Sequence, residues 1–424
     1  DPSTKYLTFL PHSGFHNQRT ELENALLLAR LLNRTLIMPK VYLGPPMPWL
    51  RFKVLYSRLL YQTKIGLEHC QAIIENQEEE WSPLPTECLQ YESWTMTDWD
   101  MFFDLNPLRH YVRILTRESM SMAYLANRGG DEGEEGKEKK TLLRSEGDVL
   151  FFDDNSLYDY HFTENATSKD SFRSKFRDEF TVEWLADRPE RLIHLGSIFG
   201  TGRIYIESLE SKAWLQMIRD HLILRTDILQ KTSQRIADKI SGGAGFVGVH
   251  IRISDGHFSL TARDTIENIR QELMWQIGIT EDNGDNGEDE DEDESSPHFP
   301  SNASQAHKRQ GRLSVEHPPK RRSNGRFTPI YLATDARRPR ANPIFDKLFE
   351  TFSCIFTLDD FEEDLELLHQ FRNPEDGTLM AKFLIPMVDA MVAAKSAAFF
   401  GTPTSTFSNY IQKQLHPAFT GLYD

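Results

Sequence analysis

Three short segments carry backbone amides, hydroxyls and one guanidinium of the kind that grips a diphosphate. They are His12-Ser13-Gly14-Phe15-His16-Asn17-Gln18-Arg19, Val249-His250-Ile251-Arg252, and Gly401-Thr402-Pro403-Thr404-Ser405-Thr406-Phe407-Ser408. Each follows an apolar run of strand composition and opens a loop or helix. In the second, Arg252 leaves the C-terminal end of a buried strand, where open α/β sheets bind ligands, and its planar fork of donors matches paired phosphates. The plainer reading is a salt-bridged structural arginine. His250, two residues back on the same strand face, either bonds a ribose or sits satisfied in the core.

In the first segment Gly14 lies between a strand and a helix start, so the amides of the Gly14 to Phe15 loop can approach a ligand closely. Asn17 caps that helix or donates its amide to a substrate oxygen. In the third, Gly401 allows a tight turn, and Ser405, Thr406 and Ser408 bring hydroxyls and free amides to the positive end of a closing helix. A plain Ser/Thr cap explains one of these hydroxyls but not the set. Asp335, at the end of another strand, accepts from a nucleoside or caps a loop. Such groups suit sugar-nucleotide chemistry, in which breaking the glycosyl phosphate bond leaves a diphosphate anion that a fixed cation and a helix-end dipole stabilise.

The elements that must position these groups follow an α/β grammar. Tyr6 to Leu10 reads as a strand ending at Pro11. From Arg19 the apolar positions Leu22, Ala25, Leu26, Ala29 and Leu32 recur at helical spacing, and Thr35 to Met38 reads as a second strand. A βαβ unit of this kind implies a parallel sheet. The second half repeats the pattern, with strands at Phe246 to Ile251, Pro329 to Thr334, Cys354 to Phe356 and Ala397 to Phe400. Helices are expected from Ile206 to Leu229, Leu379 to Ala394 and Thr404 to Leu415. The expected architecture is two Rossmann-like, doubly wound α/β domains facing a central cleft, residues 1–205 and 206–424. Residues 281–294 hold ten acidic side chains and residues 308–326 seven Lys or Arg, so 281–326 is expected to be a disordered insert. The Gly, Glu and Lys run from Arg128 to Lys140 reads as a surface loop.

Lys plus Arg number 48 and Asp plus Glu 64, a net charge of -16, which argues against nucleic acid as a partner. No run approaches the ~20 apolar residues of a membrane span. The chain begins at Asp1 rather than Met, and we expect an N-terminal signal or membrane anchor ahead of it. The sequons at Asn33, Asn165 and Asn302 are compatible with a secretory lumen. Three cysteines make neither a disulfide scaffold nor a zinc cluster. Cys70 and Cys88 are close enough to bridge in an oxidising compartment, and Cys354 has the surroundings of a buried core thiol.

The stretch His12 to Pro39, through Asn17-Gln18-Arg19 and Leu31-Leu32-Asn33, resembles the N-terminal signature of the GDP-fucose protein O-fucosyltransferase superfamily, in its fungal and plant-like branch. Gly248-Val249-His250-Ile251-Arg252 resembles its central motif, and Gly401 with Ser405-Thr406-Phe407-Ser408 its C-terminal one. The resemblance implies a GT-B fold in the ER or Golgi lumen, with GDP-fucose as donor and no cofactor. It also implies inverting transfer without a metal-binding Asp-x-Asp motif, to a Ser or Thr of a protein. A glycan hydroxyl as acceptor and a catalytically silent sugar-nucleotide-binding protein are the alternatives. By position Arg252 would hold the β-phosphate, and Asn17 with the Gly14 to Phe15 loop would line the sugar and diphosphate. His250 and Asp335 would contact the nucleoside, while Ser405, Thr406 and Phe407 would complete the pocket. Where the family often carries a second glycine, this chain has His16, which would face the acceptor. The general base is unassigned, with His16 and Glu21 as candidates.

Overall fold

The structure, a computed structural model, describes residues 3–76, 83–127, 148–165, 175–200, 202–242, 245–279 and 328–422. Two parallel sheets organise it. The first has the strand order Ile114–Arg117, Thr35–Pro39, Tyr6–Thr8, Leu192–Leu195, Val149–Phe152. The second runs Ile355–Thr357, Ile330–Thr334, Val247–Ile251, Ala398–Gly401. Thr35–Pro39, Val247–Ile251 and Ile330–Thr334 are largely apolar runs buried along almost their whole length, as strands covered on both faces require. A small three-stranded parallel sheet and an antiparallel pair complete the strands among the described residues. The α/β class and the parallel pairing match the expectation.

The opening helix, Phe15–Leu31, starts four residues before its apolar period does, and it is buried on every side from Gln18 to Ala29. Leu209–His221 packs on it, so the expected amphipathic helix has its charged face covered as well. The single helix expected from Ile206 to Leu229 is two, Leu209–His221 and Asp227–Ser241. The first packs with the opening helix and the second on Ala381–Ala394, which carries Pro386 inside it. The closing helix is likewise broken, into Thr406–Tyr410, a π-helical turn Ile411–Leu415, and His416–Thr420. One hydrophobic cluster joins Leu7, Leu26 and Ile193 of the first half to Tyr331, Val388 and Ile411 of the second.

Cys70 and Cys88 are bonded, with Cα atoms 5.3 Å apart. Cys354 is half-buried rather than enclosed. The acidic and basic insert and the run from Arg128 to Lys140 lie outside the described residues. Among the described residues no helix is long and apolar enough to cross a membrane.

Candidate active site

Val247–Ile251 and Ala398–Gly401 are neighbours in the second sheet, with His250 in register with Gly401. The second and third segments therefore leave the sheet side by side at its C-terminal edge. Thr402 stitches them together: its Oγ1 accepts the Arg252 amide at 2.9 Å and donates to the His250 carbonyl at 3.1 Å. Gly401 is required for close approach, because a Cβ there would stand 2.7 Å from Ser408 Cβ. The Thr406–Tyr410 helix then folds back over the strand. Its Ser408 Oγ meets His250 Nδ1 at 2.6 Å, and the Phe407 ring lies 4.4 Å from the imidazole of His250, centroid to centroid.

The first segment arrives from the other sheet. His16 packs edge-on against Phe407 at 5.0 Å and lies 5.1 Å from Tyr410. The rings His16, Phe407 and His250 thus link all three segments. Non-glycine residues with left-handed backbone occur in or beside each one, Ser13 (φ 67°), Asp255 (φ 64°) and Thr404 (φ 63°). Such positions persist only where surrounding contacts over-determine them, and they gather at ligand sites.

Arg252 stands at the mouth of a cavity of about 370 Å³ whose walls include His250, Asp335, Thr357, Asp389 and Phe407. Its side chain is 28% exposed; Nη2 lies 2.6 Å from Asp255 Oδ2, and Nε 3.9 Å from Asp335 Oδ2. The guanidinium also lies over the Phe258 ring at 4.6 Å. Burial, reinforced by Arg252, holds His250 down at about 3. Burial, with Arg19, His250 and Arg252 adding to it, holds His16 well below the usual imidazole range. Both rings are neutral near pH 7, so the positive charge here comes from two arginines, Arg252 at the cavity and the buried Arg19 beside His16.

A profile of the GDP-fucose protein O-fucosyltransferase family matches residues 83–416, a range that contains the second and third segments. The chain belongs to that family, and so to the glycosyltransferases. O-fucosyltransferase 30 of Arabidopsis thaliana is 60% identical over 37 residues, 9% of this chain and 7% of that protein's length. Two crystal structures of POFUT1 in complex with GDP-fucose align over 100% of this chain and 97% or 96% of theirs. They share 13% and 12% identity with it, at TM-scores of 0.40 and 0.42.

Within this O-fucosyltransferase chain the expected site residues divide into two groups. Arg252, His250, Phe407 and Asp335 line the cavity, and His16 joins them by packing against Phe407. Both carboxylate oxygens of Asp335 bind backbone, Oδ1 accepting the Ile253 amide at 2.8 Å and Oδ2 the Ser254 amide at 3.2 Å. Asp335 is therefore a cap for the loop after Arg252. Phe15 points into a ring cluster with Trp99 and Phe102, at 5.7 and 5.1 Å. Ser405 is a buried N-cap, its Oγ accepting the Ser408 amide, and Thr406 is the first residue of that helix. Gly14 precedes the opening helix with room for a Cβ, its nearest neighbour being Pro46 Cγ at 3.9 Å. The unusual backbone belongs to Ser13.

Asn17 lies inside the opening helix and is not its cap; its Oδ1 is buried and has no hydrogen-bond partner among the described residues. Glu21 is fully buried, accepting the His12 amide at 3.1 Å, and burial raises its pKa well above the carboxylate range. It has no exposed surface in this structure. Thr402, Asp255 and Asp389 are site residues that sequence reading passed over. Asp255 carried a signal, a carboxylate three residues after the arginine.

Proposed function

We propose that this protein transfers fucose from GDP-fucose to a Ser or Thr hydroxyl of a protein acceptor, with inversion and without a metal ion. The observation that carries the reading is the convergence of His16, Phe407 and His250 beside the cavity that Arg252 guards. The acceptor oxygen attacks the anomeric carbon as the bond to the β-phosphate oxygen breaks, and the electron pair departs on GDP. Arg252 would stabilise that growing charge. Of the two groups weighed for the acceptor's proton, His16 is favoured: its ring is neutral and the residue is half-buried where Glu21 is fully buried, although the His16 Nδ1 atom is itself buried, without a partner among the described residues. Asn17 Oδ1, also unpaired and buried, would accept from a sugar hydroxyl.

The two parallel sheets support a GT-B-like division into two halves, the chain crossing between Leu222 and Thr226 rather than at residue 205. The Cys70–Cys88 bond supports an oxidising, secretory compartment.

Titration with GDP-fucose, GDP-mannose and UDP-sugars, followed by a GDP-release assay over peptide and oligosaccharide acceptors with and without EDTA, tests the reading. GDP-fucose should bind, and peptide should trigger release in EDTA. Arg252→Ala should keep the melting temperature and lose about 3 kcal/mol of transition-state stabilisation, roughly a hundredfold in rate. Release with oligosaccharides alone would change the acceptor class. Binding without release would make the protein a silent sugar-nucleotide binder, and no binding would remove the assignment.

A further inference from the structure

In a chain of net charge -16, one cavity of about 160 Å³ is walled by Arg30, Arg34, Arg109, His110 and Arg113, with no carboxylate among its lining residues. Arg30 lies in the last turn of the opening helix, Arg34 precedes Thr35–Pro39, and Arg113 precedes Ile114–Arg117. The cavity therefore sits at the N-terminal ends of parallel strands, the opposite edge of the first sheet from the loop that holds Ser13 and Gly14.

The four guanidinium groups are poorly neutralised. Arg34, 2% exposed, gives its Nη atoms to the carbonyls of Tyr6, Arg188, Glu190 and Arg191, and its buried Nε has no partner. Burial lowers its pKa to about 10, with the Glu190 charge opposing the fall, so it stays protonated at neutral pH. Arg30 lies over the Trp214 ring at 4.4 Å, and Arg113 is exposed. Among the described residues, only Arg109 of the five forms an ion pair, with Asp100 at 2.8 Å. Beside them Tyr111, 49% exposed, stands edge-on to Trp214 at 5.2 Å.

We propose that this cavity is a second binding site, for a sulfate or phosphate monoester carried on a sugar. Guanidinium forks match the tetrahedral oxyanion, and the Tyr111 ring offers the sugar an apolar face.

Calorimetric titration with a heparin-derived sulfated disaccharide, glucose 6-phosphate and inorganic sulfate, at constant ionic strength and with GDP saturating, tests this. Saturable 1:1 binding of the sugar esters is expected. Arg113→Ser and Arg30→Gln should each weaken it at least about tenfold, the scale of losing one charged hydrogen bond, while GDP affinity and melting temperature hold. Tyr111→Ala should weaken the disaccharide and leave inorganic sulfate unchanged. No saturable binding, or affinity unchanged in the Arg30→Gln/Arg113→Ser double variant, would overturn the site. Inorganic sulfate binding as tightly as the sugar esters would overturn the sugar-borne ligand. The disaccharide's preference over glucose 6-phosphate, or the reverse, identifies sulfate or phosphate as the source.

Discussion

Asp255 Oδ2 lies 2.6 Å from Nη2 of Arg252, and Asp255 adopts a left-handed backbone, φ 64°, three residues beyond the arginine it meets. That carboxylate occupies an arm of the fork that a diphosphate would take, so under the proposed function a nucleotide would compete with Asp255 for one cation. Asp255→Asn is isosteric, so it leaves the loop's packing in place and removes the competing charge. Because Asp255 is 65% exposed, the gain is of surface-pair size, about two- to fivefold tighter GDP binding at low salt, shrinking as salt rises. Calorimetry at two ionic strengths checks it; weaker binding in the variant would show the pair to be an aid to the nucleotide.

The opening helix is tied to the last helices by buried charge. Arg19 pairs with Glu23, both 4% exposed, and lies over the Tyr410 ring at 4.2 Å. Glu23 also takes Arg219 Nε at 3.1 Å and Gln414 Nε2 at 2.9 Å. Burial works against the Glu23 charge, but Arg19 and Arg219 outweigh it and hold the carboxyl below its usual range. Glu23→Ala leaves Arg19 buried without its counter-ion and should cost about 3 to 5 kcal/mol in urea unfolding. The double variant Arg19→Met/Glu23→Leu should lose less than Glu23→Ala alone, and an equal loss would contradict the buried-charge account.

The strands at Thr35 to Met38, Phe246 to Ile251 and Pro329 to Thr334 were legible because covered parallel strands are written as apolar runs, whereas Ile114–Arg117 and Leu192–Leu195 were not, because polar residues interrupt them. The three segments were legible because glycine and hydroxyl residues follow those runs directly. The helix start at Phe15 was hidden because Phe15 and His16 pack against other rings, Gln18 bonds the Tyr42 backbone, and the four residues carry no apolar period. The break at Leu222 to Leu224 was hidden because those residues are themselves buried and apolar. A tertiary contact holds it: the Tyr410 hydroxyl donates to the Leu222 carbonyl at 2.9 Å and accepts the Leu224 amide at 3.2 Å. No local pattern announces a partner nearly two hundred residues away. The backbone outliers fell on Ser13 and Thr404 rather than on Gly14 and Gly401, a choice made by packing around the loops.

The Cys70–Cys88 bond closes a separation of 18 residues and fastens the Glu68–Glu75 helix beside the turn that holds Tyr91 and Glu92. The Tyr91 hydroxyl donates to the Asp376 carbonyl at 2.8 Å, and Glu92 accepts the Leu379 amide at 2.8 Å. Loop-closure entropy for that length corresponds to about 3 kcal/mol. Cys70→Ser/Cys88→Ser should lose stability on that scale, and dithiothreitol should lower the melting temperature of the parent but leave the variant unchanged. A parent insensitive to reductant would mean that the bond adds nothing to the fold.

Asp389 lines the candidate donor cavity and accepts the Tyr331 hydroxyl at 2.6 Å. Burial, with Asp359 adding to it, raises its pKa to about 7 against the hydrogen bonds from Tyr331 and the Thr334 backbone. An unfolded aspartate titrates near 4, so between about pH 4 and pH 7 the native state holds a proton that the unfolded state has released. The stabilisation linked to that proton is complete below pH 4 and is lost as pH rises through 7, at about 1.4 kcal/mol per pH unit. Asp389→Asn keeps an acceptor for Tyr331 and removes the titration. The stability of the variant relative to the parent should therefore climb from pH 4 to pH 7, by about 3 to 4 kcal/mol, and level off above it. Urea unfolding of both proteins at pH 5, 6, 7 and 8 measures this directly, and a difference that stays constant with pH would mean that the carboxylate is ionised throughout.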